Sequence, residues 1–190
     1  MGAEAPRFHG PCACRTNDLE TQMSWQDLIR DVQDYPQPGV LFKDITPVLA
    51  DPGAFAEVVE ELGALFEEAD KVVGIEARGF ILAAPVAYNI GAGFVPVRKK
   101  GKLPAETLEE SYDLEYGSAT IEVHSDAFRP GDRVVIVDDV LATGGTAAAA
   151  VELVKRAGAE VTGVAVLMEL SFLKGRERLP GVDLRSLVTV

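Results

Sequence analysis

The sequence predicts an α/β fold, with a central, mostly parallel sheet flanked by helices. Three observations point there. Short, largely apolar runs recur at 72–75, 94–97, 134–137 and 161–168, as strands buried on both faces of a parallel sheet read. Between them lie segments whose apolar residues fall at helical spacing, the alternation of strand–helix–strand units. One of these strands passes through a glycine-rich turn directly into an alanine-rich helix at 134–158. In open parallel sheets, ligands bind outside the carboxyl ends of the strands at turns of this kind.

The elements follow in order. Residues 1–22 (MGAEAPRFHGPCACRTNDLETQ) are rich in Pro, Gly, Ala and polar residues and show no hydrophobic period. They predict a disordered tail, with Met23 a candidate start of the functional chain. From Ser24 a helix is expected. Trp25, Leu28, Ile29 and Val32 share a helical face, Ser24 stands at the N-cap and Asp27 in the capping-box place. The run Y-P-Q-P-G at 35–39 stops it. Residues 35–49 fit no strand–helix unit and predict a small flap at the edge of the sheet. Asp51 and Pro52 then read as an N-cap and first helical residue, followed by Phe55, Val58, Val59, Leu62, Leu65 and Phe66 at helical spacing.

A strand at 72–75 leads into E-A-R-G-F, a helix through 81–88 and a strand at 94–97. Residues 120–123 alternate like an exposed hairpin strand. R-P-G-D at 129–132 is a turn before the strand at 134–137. The helix after it closes at Gly158, where a C-terminal glycine cap belongs. Strands at 161–168 and 184–190 complete a single domain over residues 23–190, and no internal repeat is present.

Composition bounds the function. The chain has 190 residues, long enough to bury a sizeable core without a disulfide or metal staple. Eighteen basic residues stand against 30 acidic ones, a net charge of −12. That argues against nucleic acid as a partner, since backbone affinity comes from clustered cations. A small phosphorylated ligand, needing only a local positive cluster, remains open. Apolar stretches fall short of the roughly 20 residues that span a bilayer, and the N-terminus has no apolar signal core, so a cytoplasmic protein is expected. Cys12 and Cys14 share one C-A-C tripeptide, too close for an unstrained disulfide and too few for zinc, and read as reduced thiols. His9 and His124 stand without a second ligand nearby and read as solvated.

The chemistry is carried by V-V-I-V-D-D-V-L-A-T-G-G-T at 134–146. Asp138 and Asp139 stand where the strand is expected to end. Ala142, Thr143, Gly144, Gly145 and Thr146 form a tight loop. Its glycines let backbone N–H groups point inward, and its threonines add hydroxyl donors. The loop opens a helix N-terminus, a natural phosphate site. Two carboxylates beside a phosphate cradle suit a ligand with hydroxyls and a phosphate, such as a ribose 5-phosphate. The lysine of a Walker loop and the third glycine of a dinucleotide turn are both missing.

This segment resembles the phosphoribosyl-pyrophosphate (PRPP) signature of the type I phosphoribosyltransferases. Further motifs narrow the resemblance to the adenine phosphoribosyltransferase family. Y-P-Q-P-G-V-L-F-K-D-I-T-P (35–47) is similar to that family's hood over the base, and G-I-E-A-R-G-F (74–80) to its first pyrophosphate-side loop. V-R-K-K-G-K-L-P (97–104) and S-Y-D-L-E-Y-G (111–117) resemble the segments flanking its catalytic loop. E-L-S-F-L-K-G-R-E-R-L (169–179) is similar to its C-terminal portion. The match runs from about Ser24 to the C-terminus.

The resemblance implies a type I phosphoribosyltransferase fold with a small N-terminal hood. It also implies transfer of the 5-phosphoribosyl group of PRPP to adenine, forming AMP and pyrophosphate. Glu115 would be the catalytic acid/base group for the purine, and Asp138 and Asp139 would be catalytic too, stabilising positive charge on the ribose ring while holding its hydroxyls. PRPP would also be bound by Arg78, Arg98, Lys99 and Lys102 and by the loop from Ala142 to Thr146. Leu41, Phe42, Lys43 and Val140 would meet adenine. Lys43 stands where the family's hood often carries arginine, so backbone contacts to the base are expected there. Magnesium (Mg2+) would come mainly on PRPP and pyrophosphate, with no direct protein ligand, and the family pattern implies a homodimer. Two other readings are a phosphoribosyltransferase for another base, such as xanthine or hypoxanthine, and a non-catalytic PRPP- or purine-sensing regulator. The −12 charge speaks against the regulator.

Overall fold

The computed structural model describes residues 24–113 and 117–190. The capping box at Ser24 forms: its hydroxyl accepts the Gln26 N–H and Asp27 accepts the Ser24 N–H. The helix it starts is a single 3-10 turn, Trp25–Leu28, not one reaching Val32. Ile29 is extended, and the chain becomes β1 (Arg30–Gln33), which pairs antiparallel with β2 (Leu41–Asp44). Over so short a stretch the helical and strand periods share positions, and the partner strand decides. Trp25 is fully buried, its indole N–H donating to Glu61 at 3.3 Å.

The short α1 (Thr46–Ala50) precedes α2 (Pro52–Ala64). Asp51 caps α2 by accepting the Gly53 and Ala54 N–H groups, as expected. Then follow β3 (Lys71–Ile75), α3 (Arg78–Ile90), β4 (Gly93–Lys99), β5 (Thr107–Asp113) and β6 (Ser118–His124). The chain continues with β7 (Arg133–Leu141), α4 (Gly145–Arg156), β8 (Glu160–Glu169) and β9 (Leu184–Thr189). Past α4, Gly158 takes the left-handed conformation at φ 85°, and the Ala159 N–H reaches back to the Val154 carbonyl.

Seven strands form the main sheet in the order β5-β6-β4-β3-β7-β8-β9. The five from β4 to β9 run parallel, and β5 and β6 add an antiparallel hairpin. The parallel strands are buried on both faces because alternate residues feed two cores. Val134 and Ile136 pack toward α4, while Val135 and Val137 pack toward α2 and α3. No helix among the described residues is long and apolar enough to cross a membrane.

Three expectations are corrected. The segment at 120–123 is not an exposed strand: β6 is paired on both edges and Ile121, Glu122 and Val123 are buried. Glu122 tolerates burial because the backbone N–H groups of Lys102 and Leu103 donate to it, each at 2.8 Å. The flap begins at Arg30 and forms its own two-stranded sheet. It lies over the carboxyl ends of β7 and β8, not beside the sheet edge, since Leu41 and Phe42 share a cavity with Val140 and Met168. The Nδ1 atom of His124 is not solvated: it is buried and has no hydrogen-bond partner among the described residues. His9, Cys12, Cys14 and the tail lie outside the described residues.

Candidate active site

A cavity of about 380 Å³ opens where β3 and β7 end and α4 begins. Its floor is the loop from Ala142 to Thr146. Gly144 takes a left-handed φ of 79° as the residue before α4, a conformation that costs a side chain energy. A Cβ there would also strike the carbonyl of Gly175. The loop backbone thus opens the first turn of a twelve-residue helix, where unpaired N–H groups and the helix dipole favour an anion. Thr146 donates its hydroxyl to the Tyr112 hydroxyl at 3.0 Å, tying the loop to β5.

Asp138 and Asp139 lie within β7, not beyond it, because β8 continues pairing as far as Leu141. On the other edge β3 pairs only to Val137, which leaves both carboxylates facing the cavity. Asp139 is buried and pairs with Arg78 Nε at 2.9 Å. Asp138 accepts the Asp139 N–H at 2.9 Å. Burial, and next the adjoining Asp139 carboxylate, push the Asp138 carboxyl well above its ordinary value. The first turn of α3 lies close against this group. A Cβ on Gly79 would stand 2.7 Å from Asp138 Oδ1, so the glycine of E-A-R-G-F permits the approach.

The predicted cations divide. Arg78 and Lys99 line the cavity. Arg98 pairs with Glu76 at 3.1 Å and donates to the Lys102 carbonyl at 3.0 Å, while Lys102 gives its N–H to Glu122. Burial raises the Glu76 carboxyl, but Arg98 and the Lys99 N–H outweigh it, leaving the group below its ordinary value. Arg98 and Lys102 therefore brace the basic turn and do not reach the cavity wall. Glu115 lies outside the described residues.

A second, more apolar slot of about 200 Å³ adjoins the first. Leu41, Phe42, Lys43, Ile45, Met168 and Leu170 enclose it, and it shares Arg78, Asp139, Val140 and Ala142 with the cavity. Lys43 points its ammonium to Asp31 at 2.7 Å, directly across the strand pair. Phe42 meets Tyr35 edge-on at 5.1 Å, and the Arg78 guanidinium lies 5.6 Å from its ring. Sequence reasoning missed Tyr112, Met168 and Leu170. Tyr112 stands within the S-Y-D-L-E-Y-G motif and Leu170 within E-L-S-F-L-K-G-R-E-R-L, whereas nothing local marks Met168.

A phosphate-suited helix start, paired carboxylates at its side and a flat apolar slot under a hood define a phosphoribosyl-transferring class of protein. The model of the phosphoribosyl transferase domain matches residues 49–182. An adenine phosphoribosyltransferase of Acidothermus cellulolyticus is 67% identical over 164 residues, covering 85% of this chain and 93% of the relative. The crystal structure of adenine phosphoribosyltransferase from Thermoanaerobacter pseudethanolicus superposes with a TM-score of 0.84 at 50% identity, covering 87% and 98% of the two chains. That of the Saccharomyces cerevisiae enzyme, solved with an imino-altritol bisphosphate and adenine, gives 0.81 at 41% identity, covering 86% and 97%. The chain belongs to the adenine phosphoribosyltransferase family.

Proposed function

We infer that this protein transfers the 5-phosphoribosyl group of PRPP to N9 of adenine, yielding AMP and pyrophosphate. The observation that carries the reading is the adjacency of two compartments with a common wall. One suits a ribose phosphate and the other a flat heterocycle.

As the bond from C1 to pyrophosphate breaks, positive charge grows on the ribose ring and negative charge on the leaving group. Asp138 and Asp139 hold the ribose hydroxyls and stabilise the ring, with Arg78 beside them. Lys99 and Arg78 face the departing pyrophosphate. Magnesium bound with this substrate would supply positive charge to balance the leaving group, as a hard cation suited to oxygen ligands. The donor set fits such an ion, since Glu76, Asp138 and Asp139 all line the cavity with carboxylate oxygens. Glu115, from the L-E-Y-G segment, serves the purine as acid/base.

The base is read by the backbone of β2. Among the described residues only one edge of this strand is paired, with β1, so the other edge offers the slot a carbonyl for the adenine N6 amino group and an N–H for N1. A 6-oxopurine presents the opposite pattern and would leave two buried groups unpaired at about 1–3 kcal/mol each, roughly 30- to 10⁴-fold discrimination. Phe42 and Val140 pack on the ring faces.

The protein acts as a homodimer. Supporting this is an exposed apolar stripe on α3, Ile81, Ala84 and Tyr88, beside Phe94, with Tyr88 88% exposed. A second copy of the chain is the occupant that fits, because α3 starts at Arg78 and so places the stripe next to the site. The cytoplasm suits a reaction whose multiply charged substrate cannot cross a bilayer unaided.

The test is initial velocity with PRPP, magnesium and each of adenine, hypoxanthine, guanine and xanthine. Adenine is expected to lead by the stated margin. Equal use of hypoxanthine or xanthine would sink the hood reading, and no pyrophosphate release with any base would favour a regulator.

A further inference from the structure

The phosphate loop contains no cation of its own. Ala142-Thr-Gly-Gly-Thr146 supplies backbone and hydroxyl donors, yet a phosphate monoester carries about −1.5 to −2 at neutral pH. Of the cavity's two cations, Arg78 is paired with Asp139. Lys99 extends from β4, on the far side of β3 from this loop.

One guanidinium does stand at the loop. A 3-10 turn, Gly175–Arg178, packs backbone to backbone against it: a Cβ on Gly175 would strike the Ala142 carbonyl, and one on Gly144 would strike Gly175. The turn is held from behind. Arg176 donates to buried Glu169 and to the Leu184 carbonyl at 2.8 Å, and Leu179 is sunk in the core. One 3-10 turn after Gly175 comes Arg178. A Cβ on Gly145, the first residue of α4, would lie 3.5 Å from Arg178 Nη1. Unlike Arg176, Arg178 forms no ion pair among the described residues.

We propose that Arg178 is the 5-phosphate-binding cation of the site, completing from the C-terminal segment a cradle that the loop leaves uncompensated. A guanidinium matches two phosphate oxygens at once, and charge-assisted bonds of this kind are about twice as strong as neutral ones. The neighbouring Tyr112 hydroxyl, which accepts from Thr146, keeps its own proton to donate to the phosphate. The inference rests on the phosphoribosyltransferase reading and adds a binding residue to it.

The experiment compares AMP with adenosine, which lacks only the phosphate, by calorimetric titration of the parent, Arg178→Gln and Arg178→Lys. Arg178→Gln is expected to weaken AMP about tenfold or more and to leave adenosine and pyrophosphate unchanged. Arg178→Lys is expected to keep part of the AMP affinity. The KM for PRPP should rise in parallel, with no change in melting temperature, since Arg178 is exposed. Parent-like AMP binding by Arg178→Gln would overturn the assignment alone. Equal weakening of adenosine would overturn it in favour of a structural role. Failure of the parent to bind AMP or PRPP at all would remove the functional reading and this inference with it.

Discussion

Asp138 shows what a functional position costs the folded chain. Its carboxyl is raised by burial and by Asp139. A raised carboxyl contributes stability that is fully present below its unfolded value of about 3.9 and is lost as pH rises through the folded value. Asparagine keeps the size and the acceptor for the Asp139 N–H but carries no charge. Asp138→Asn is therefore expected to melt above the parent at about pH 8, with the gap closing toward about pH 4. It should also lose roughly tenfold or more in turnover, about 1.4 kcal/mol of transition-state stabilisation. Thermal scans across that range check the first half, and a variant that melts lower at high pH would contradict it. Gly144 carries a different cost. In Gly144→Ala the side chain must adopt a left-handed φ and displace Gly175, so the KM for PRPP should rise more than tenfold. Strain of about 1–3 kcal/mol should appear in denaturant unfolding.

The hood is held together by cross-strand charges. Arg30 faces Asp44 and Lys43 faces Asp31 in the β1–β2 register. The Asp44 carboxyl is lowered to about 2, first by the Arg30 side chain and then by the Thr46 N–H that it caps. A lowered carboxyl contributes stability above its unfolded value near 3.9 and loses it as pH falls through the folded value, so this tie holds at every physiological pH. Arg30→Gln should move the Asp44 titration, followed by carboxyl carbon NMR, upward toward the ordinary value. The same variant should raise the KM for adenine several-fold and leave that for PRPP alone, because β2 lines only the slot. Equal effects on both substrates would mean that the hood also shapes the phosphate site.

Over the whole molecule, the exposed α3 stripe sets the prediction for assembly. A charge in place of Tyr88 should disfavour burial of that face. Tyr88→Glu is expected to sediment as a monomer at concentrations where the parent sediments as a dimer. A parent that stays monomeric at all accessible concentrations would refute the dimer. Residues 1–22 have no periodic apolar face in sequence. Their deletion is expected to leave melting temperature and activity unchanged, and a loss of several degrees would show that they dock on the body.

What the sequence determined by itself was the chemistry written in contiguous residues. The apolar run of β7, its two aspartates, the loop from Ala142 to Thr146 and the caps at Ser24, Asp51 and Gly158 were all legible, because strand burial, capping and tight turns depend on neighbours a few positions away. The tertiary structure decided the rest. Ile29 and Val32 left the helical pattern because β2 supplied a ladder. Glu122 could be buried because a turn twenty residues upstream donates two N–H groups to it. The Arg98 guanidinium meets Glu76, which comes from another strand end. Met168 reaches the site from a segment with no local mark of function, and Leu170 and Arg178 reach it from the 169–179 motif, where no local pattern singles them out. Their roles follow from parallel crossovers that bring distant strand ends to one side of the sheet, a proximity that spacing along the chain does not encode.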